Sequence, residues 1–272
     1  DLYVEAGGKR ISLAGDWKYR IGLSLTGFPP APISPVQSSS YPTVLFNAMV
    51  KPWTAFPIKG VIWYQGEANV GRSEQYGDLF PALITDWRRQ WRSDFPFYFV
   101  QLANFMESKK IQPDSEWAAL REAQTKALKL DQVGMAVTID IGLADDIHPK
   151  NKQEVGRRLA LVALAGSYGK NVSSSAPVFQ NYIIKGNKME LDFGQKQDGF
   201  QIKGTTLKGF TIAGPDRVFY PAEAMVHDGK IILSSTEVPA PLAARYGWAD
   251  NPDCNLYGEN GLPVAPFRTD CW

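Results

Sequence analysis

Histidine and cysteine are the scarce residues of this chain: its 272 positions hold two of each. Cys254 and Cys271 sit close together near the C-terminal end, in a Gly/Pro/Asn-rich stretch, without the spacing of a metal motif. They leave open a disulfide closing that tail or two free thiols. Long apolar runs are missing too. Nothing approaches the roughly 20 residues a bilayer-spanning helix needs. Charge of one sign is also lacking, with 29 basic residues against 28 acidic and a net charge of +1. That balance gives no basic footprint for nucleic acid or an anionic membrane surface. A starting methionine and a signal peptide are absent, and the opening Asp1-Leu2-Tyr3-Val4 reads as a processed or truncated piece. No internal repeat is visible.

What is present suits a folded protein. A hydrophobic share of 44% and a charged share of 21% can build a full core. Eight Trp, eleven Tyr and fourteen Phe serve as large core side chains or as a carbohydrate-facing surface. Asn171-Val172-Ser173 has the pattern of a glycosylation acceptor.

Residues 1–50 read as a strand pair, Tyr3-Val4 and Ile11 to Leu13 around Gly7-Gly8, then an extended Pro/Ser-rich segment and a short buried helix over 43–50. Residues 51–170 alternate. A continuously apolar run over 58–64 predicts a strand buried on both faces. Tyr76, Leu79, Phe80, Leu83, Ile84, Trp87 and Trp91 recur with helical period and predict an amphipathic helix. A strand over 97–102 follows, then a helix over 113–130 with Trp117, Leu120 and Leu128 inward, a strand over 134–139 and a helix over 152–168. Asn151 with Glu154 resembles a capping box. This alternation means a parallel sheet covered by helices. Residues 177–247 carry short alternating strands separated by glycine turns, a smaller β-rich region. Residues 248–272 form an irregular tail.

With two histidines the search for a general base is short. His227 precedes Asp228-Gly229 in a hairpin turn, an ordinary surface position. His148 follows Asp145-Asp146 in the loop after a parallel strand, and ligands collect at the carboxyl ends of such strands. Asp145, three residues back, can hold the imidazole Nδ1–H and stabilise the imidazolium. The plainer reading is a helix start with a solvated Asp/His pair. Gln65-Gly66-Glu67-Ala68-Asn69 also follows a parallel strand. Its amide and close-approach glycine suit an oxyanion, for which one donor contributes about 3 kcal/mol, and Glu67 can support the histidine or the loop. The plainer reading there is a polar strand-to-helix turn.

Four blocks then act together: residues 58–69; Phe95-Pro96-Phe97 with Gln101 to Phe105; Trp117 to Gln124; and Asp146-Ile147-His148-Pro149-Lys150-Asn151-Lys152. They resemble the sialate O-acetylesterases, members of the wider SGNH hydrolases, as do Asn255-Leu256-Tyr257 and residues 266–270 in the tail. The resemblance covers nearly the whole chain. It implies an α/β fold, an SGNH-type parallel sheet flanked by helices and incomplete in this chain, followed by the smaller β-rich domain. It implies a serine esterase that removes O-acetyl groups from sialic acids, with neither cofactor nor metal, in an extracytoplasmic setting (secreted, periplasmic or lysosomal). His148 would be the base and Asp145 its partner, with Glu67 and Asp146 the other carboxylates in contention. Gln65 would feed the oxyanion hole. Arg121 would meet the sialate carboxylate, since a guanidinium fork matches that anion, or else form a surface ion pair. Asn69, Gln101 and Asn104 would complete the substrate contacts.

One part of that machinery is missing. The Gly-Gln-Ser-Asn or Gly-Asp-Ser block that bears the family's nucleophile does not occur, and the serines of residues 22–25 and 37–40 read as loop residues. The expected partner is therefore an N-terminal serine-bearing segment, or a separate chain, of the same enzyme. The alternatives are an acetylxylan-type polysaccharide acetylesterase and a glycan-binding remnant without catalysis.

Overall fold

The computed structural model describes residues 3–16, 18, 41–194 and 199–272. The serine-bearing stretches 22–25 and 37–40 lie outside the described residues. The chain divides into two compact units, residues 1–50 and 51–272. In the first, β1 (Tyr3–Ala6) pairs antiparallel with β2 (Lys9–Ser12), Tyr3 opposite Ser12. Gly7 and Gly8 make the turn, both at positive φ as a tight hairpin requires. The helix expected over 43–50 shrinks to a π-type turn at Phe46–Val50, and none of its residues is buried. A segment this short, with Met49 pointing outward, has no continuous apolar face to bury.

The second unit starts with a three-stranded parallel sheet in the order β3 (Val61–Trp63), β4 (Phe97–Val100), β5 (Val133–Ala136). Helix α1 (Ser73–Trp91) connects β3 to β4, helix α2 (Glu116–Thr125) precedes β5, and α3 (Lys152–Gly166) follows it. The central strand β4 is buried on both sides. Phe97 and Phe99 pack with Tyr76, Phe80 and Ile84 of α1 and Leu120 and Ala123 of α2. Tyr98 and Val100 face the other way, onto Val155, Leu159 and Val162 of α3. Trp63 and Trp87 extend the first cluster in an edge-to-face pair 5.7 Å apart.

Burial on both faces was expected of β3 as well, and that expectation fails. Ile62 is 70% exposed. Among the described residues β3 pairs only with β4, so it forms one edge of the sheet, and α3 covers β4 and β5 without reaching it. The helix over 113–130 also ends early: after Thr125 it tightens into a 3₁₀ turn at Lys126–Lys129, which turns Leu128 outward.

The β-rich part comprises β6 (Asn181–Lys185), β7 (Lys188–Asp192), β8 (Phe200–Ile202), β9 (Phe210–Ala213), β10 (Phe219–Pro221), β11 (Glu223–His227), β12 (Lys230–Ser234), β13 (Ala243–Tyr246), β14 (Leu256–Gly258) and β15 (Phe267–Arg268). Two four-stranded antiparallel sheets, β10-β9-β13-β15 and β11-β12-β7-β6, enclose one core with Met189, Leu191, Ile212, Leu233 and Tyr246. His227 ends β11 opposite Lys230, beside the Asp228-Gly229 turn.

The two cysteines are free. Cys254 is turned inward against the β-rich core, whereas Cys271 is exposed, which removes the disulfide alternative. Desolvation pushes the Cys254 thiol up to about 12, so almost none of the reactive thiolate exists at neutral pH. Iodoacetamide should therefore modify one thiol per native chain, at Cys271, and a second only after denaturation. Intact mass spectrometry reads this directly; rapid double alkylation of the native protein would contradict the placement of Cys254.

Candidate functional site

The cleft of interest lies where β3 and β5 run out at their carboxyl ends. It measures about 380 Å³ and is lined by Tyr64, Gln65, Glu67 and Ala68 from the loop after β3, and by Ile147, His148, Pro149 and Lys152 from the loop after β5 and the start of α3. Two stretches almost 80 residues apart thus share one opening.

The first stretch is held rigidly. Asn69 N–H bonds the Gly66 carbonyl at 2.8 Å, closing a 3₁₀ turn over Glu67–Asn69. The Gln65 side chain donates through Nε2 to Asn69 Oδ1 (2.7 Å) and accepts from the Tyr76 hydroxyl at Oε1 (3.2 Å). Beneath the loop, Gln124 donates to the Gln65 carbonyl (3.3 Å) and accepts from Leu102 N–H (2.9 Å). A Cβ on Gly66 would come within 3.1 Å of Gln124 Nε2, so the close approach favours glycine. Burial, reinforced by the charge of Glu67, raises the Tyr64 hydroxyl to about 12; it stays a neutral phenol.

The second stretch is anchored at both ends. Thr138 Oγ1 donates to the Gln101 carbonyl (2.6 Å), and Asp140 takes two bonds from Arg158 (2.6 and 2.9 Å) and one from Tyr257 (3.2 Å). Gly142 N–H bonds Asn104 Oδ1 at 2.7 Å, and a Cβ there would overlap the Asn104 carbonyl. At the far end Asn151 Oδ1 caps α3 by accepting from Glu154 N–H (3.1 Å). The Glu154 carboxylate does not complete a capping box; it turns to Arg157 and Arg158, each at 2.7 Å.

Between these anchors lies His148, its side chain 87% exposed. Its partner is Asp146. Asp146 Oδ1 accepts the His148 backbone N–H (2.9 Å) and stands 3.5 Å from Nδ1. The pairing expected of Asp145 moves by one residue because Asp146 folds into an Asx turn, a contact two residues long that aims the carboxylate at the ring. Asp145 makes no hydrogen bond or ion pair among the described residues. The backbone bond from His148, helped by the charges of Lys150 and His148, lowers the Asp146 carboxyl below the usual range, so it is ionised at neutral pH. Imidazole, carboxylate and the Gln65 amide form a set able to accept a proton and stabilise charge.

Three expected substrate contacts are occupied elsewhere. Arg121 is fully buried. Its Nη2 donates to the carbonyls of Ala249 and Asp250, tying α2 to the segment before β14, and burial lowers its guanidinium to about 10. A carboxylate in solvent does not reach it. Gln101 is likewise sealed, donating to the Arg121 carbonyl at 3.1 Å. Asn104 spends its amide on Asn251 Oδ1 (2.7 Å) and its carbonyl oxygen on Gly142; it braces the His148 loop. Asn69 stays next to the cleft, bonded to Gln65. Lys152 is the residue that sequence reasoning passed over: its Nζ stands 5.0 Å over the Tyr64 ring at the cleft wall. Its place in the first turn of a helix, where a cation is unfavourable, was the available signal.

With the geometry in hand, comparisons identify what the chain is similar to. The model of a family described as carbohydrate esterases, sialic acid-specific acetylesterases, matches residues 27–165. The sialate O-acetylesterase of Pongo abelii is 32% identical over 92% of this chain and 54% of its own length. That of Rattus norvegicus is 29% identical over 87% and 48%. The chain therefore spans about half the length of these relatives. Among solved structures, a carbohydrate acetylesterase from Xanthomonas citri superposes with a TM-score of 0.81 at 46% identity, covering 85% of this chain and 55% of that one.

Proposed function

Because the chain belongs to the sialic acid-specific acetylesterase family of carbohydrate esterases, we propose that it supplies the base-bearing part of an enzyme that hydrolyses O-acetyl esters of sialic acids. The carrying observation is the single cleft that holds both His148 and the Gln65–Asn69 turn at the strand ends. His148, oriented by Asp146, takes the proton of a serine hydroxyl as that oxygen attacks the acetyl carbonyl. It then returns the proton to the departing sugar oxygen, and in a second round activates water against the acyl-enzyme. Gln65 Nε2 gives one proton to Asn69 and keeps a second for the oxyanion.

The serine comes from polypeptide outside this chain, either an N-terminal segment or a separate subunit. The open edge of β3 supports that reading. A further parallel strand could pair with that edge and end beside Gln65, where a nucleophile belongs.

Denaturing mass spectrometry of the purified native protein, with a serine-directed fluorophosphonate, is the test. A co-purifying serine-bearing polypeptide should take the label and acetyl-ester turnover should need both pieces. A lone 30.2 kDa species, unlabelled and inert toward acetyl esters even when the N-terminal part is restored, would replace this reading with that of a glycan-binding remnant.

A further inference from the structure

We infer that Lys152 is the residue that reads the substrate's carboxylate, and so sets the preference of the site for acidic sugars over neutral acetylated polysaccharide; this rests on the esterase reading above. Among the described residues lining the cleft, Lys152 is the only one with a permanent positive charge, and Glu67 is the one carboxylate. The neighbouring Lys150 is drawn toward Asp146, 4.0 Å away, and Arg121 is buried under other elements.

Lys152 stands where a helix gives a cation nothing. It is the first residue of α3, at the positive end of the macrodipole, where a lysine is disfavoured and an acid is welcome. The α3 residue that satisfies that preference is Glu154 in the same turn. No hydrogen bond or ion pair holds the Lys152 ammonium among the described residues; only the Tyr64 face lies beneath it, at 5.0 Å. A neutral phenol ring can orient an ammonium without neutralising it. The α3 amino end adds its own partial positive charge in the same direction, which favours an anion between the ammonium and the cleft. Lys152 lines the same cleft as His148, so a ligand whose carboxylate meets the ammonium can present its remaining atoms toward the imidazole. A pyranose with a carboxylate on one carbon and an acetyl ester elsewhere fits that demand; an acetylated xylose unit has no such anion.

The experiment compares free N-acetylneuraminate with its carboxyl methyl ester, an uncharged analogue of nearly the same shape, as ligands of the native protein together with any serine-bearing polypeptide. Binding is read by calorimetry for the parent, Lys152→Met and Lys152→Arg. The parent should bind the acid about 10-fold more tightly than the ester, the scale of a hydrogen bond to a charged group. Lys152→Met should abolish that difference without weakening ester binding, and Lys152→Arg should restore most of it. A parent that binds acid and ester alike, or binds neither, overturns the inference. So does a Lys152→Met variant that keeps the preference. Turnover of a neutral aryl acetate separates the two readings. If it persists while the carboxylate preference is absent, the esterase stands and the Lys152 role falls. If carboxylate binding depends on Lys152 but no acetyl ester is ever cleaved, the recognition role stands and the esterase reading falls.

Discussion

His148→Ala in the assembled enzyme should lower kcat/KM by about 10²- to 10⁴-fold, the range that general acid–base catalysis contributes, while His227→Ala leaves it unchanged. The contrast is unusually clean because the chain has only these two histidines. His148 opens onto the cleft; His227 ends an outer strand beside an exposed Asp228. Activity of the parent should fall toward acid, since an imidazolium cannot accept the serine proton. Asp146→Asn should weaken catalysis more than Asp145→Asn, because among the described residues Asp146, and not Asp145, approaches Nδ1. An amide there still accepts the His148 N–H through its oxygen, so the loop keeps its shape while the charge that stabilises the imidazolium is gone. Steady-state kinetics on the four variants settles the order. Full activity in His148→Ala, or a larger loss at Asp145 than at Asp146, would remove the assignment made here.

Where the sequence was informative, the cause was local. Tyr76, Phe80 and Ile84 recur with helical period and lie on the buried face of α1. Phe97-Tyr98-Phe99-Val100 is apolar throughout and becomes the central strand, buried on both faces. The Asn151 cap needs only four residues of context. The β-rich texture after residue 176 reads from alternation and glycine turns alone. The failures share a different cause. Ile62 looks like its neighbours in composition, and its exposure depends on which strand lies at the sheet edge, a property of the whole sheet. Arg121 and Asn104 carry the side chains expected of a binding site. What decides their roles is contact with residues 249–251, more than 125 positions away. The choice between Asp145 and Asp146 depends on a backbone turn that spacing alone does not specify. Lys152 carried only a weak signal, a cation in a helix's first turn, and its place in the site depends on the Tyr64 ring and the cleft that the fold brings beside it.

Arg121→Ala should destabilise the protein by about 3–5 kcal/mol, the usual cost of deleting a large buried side chain whose polar partners are then left unpaired. For a unit of this size that corresponds to a fall in Tm on the order of 10 °C. The lost contacts are those to the carbonyls of Ala249 and Asp250. The same segment is further held by Asp250, which accepts from Ser115 at 2.6 Å and from Gln112, and by the Phe105 N–H on the Asp250 carbonyl at 3.1 Å. Releasing it loosens the support beneath Asn104 and hence the His148 loop. Arg121→Met should cost less, about 2 kcal/mol or below, because the native guanidinium is itself imperfectly satisfied. Nε and Nη1 are buried without a hydrogen-bond partner, so an apolar chain of similar length fills the space and removes that desolvation penalty. The comparison separates a structural arginine from a ligand-binding one. A structural residue makes stability order as parent, Met, Ala, with the carboxylate preference of the Met variant intact. A residue that reached the substrate would leave both variants as stable as the parent and erase that preference. Urea denaturation with the acid–ester binding comparison decides between them, and the second outcome would return the carboxylate to Arg121 and take it from Lys152.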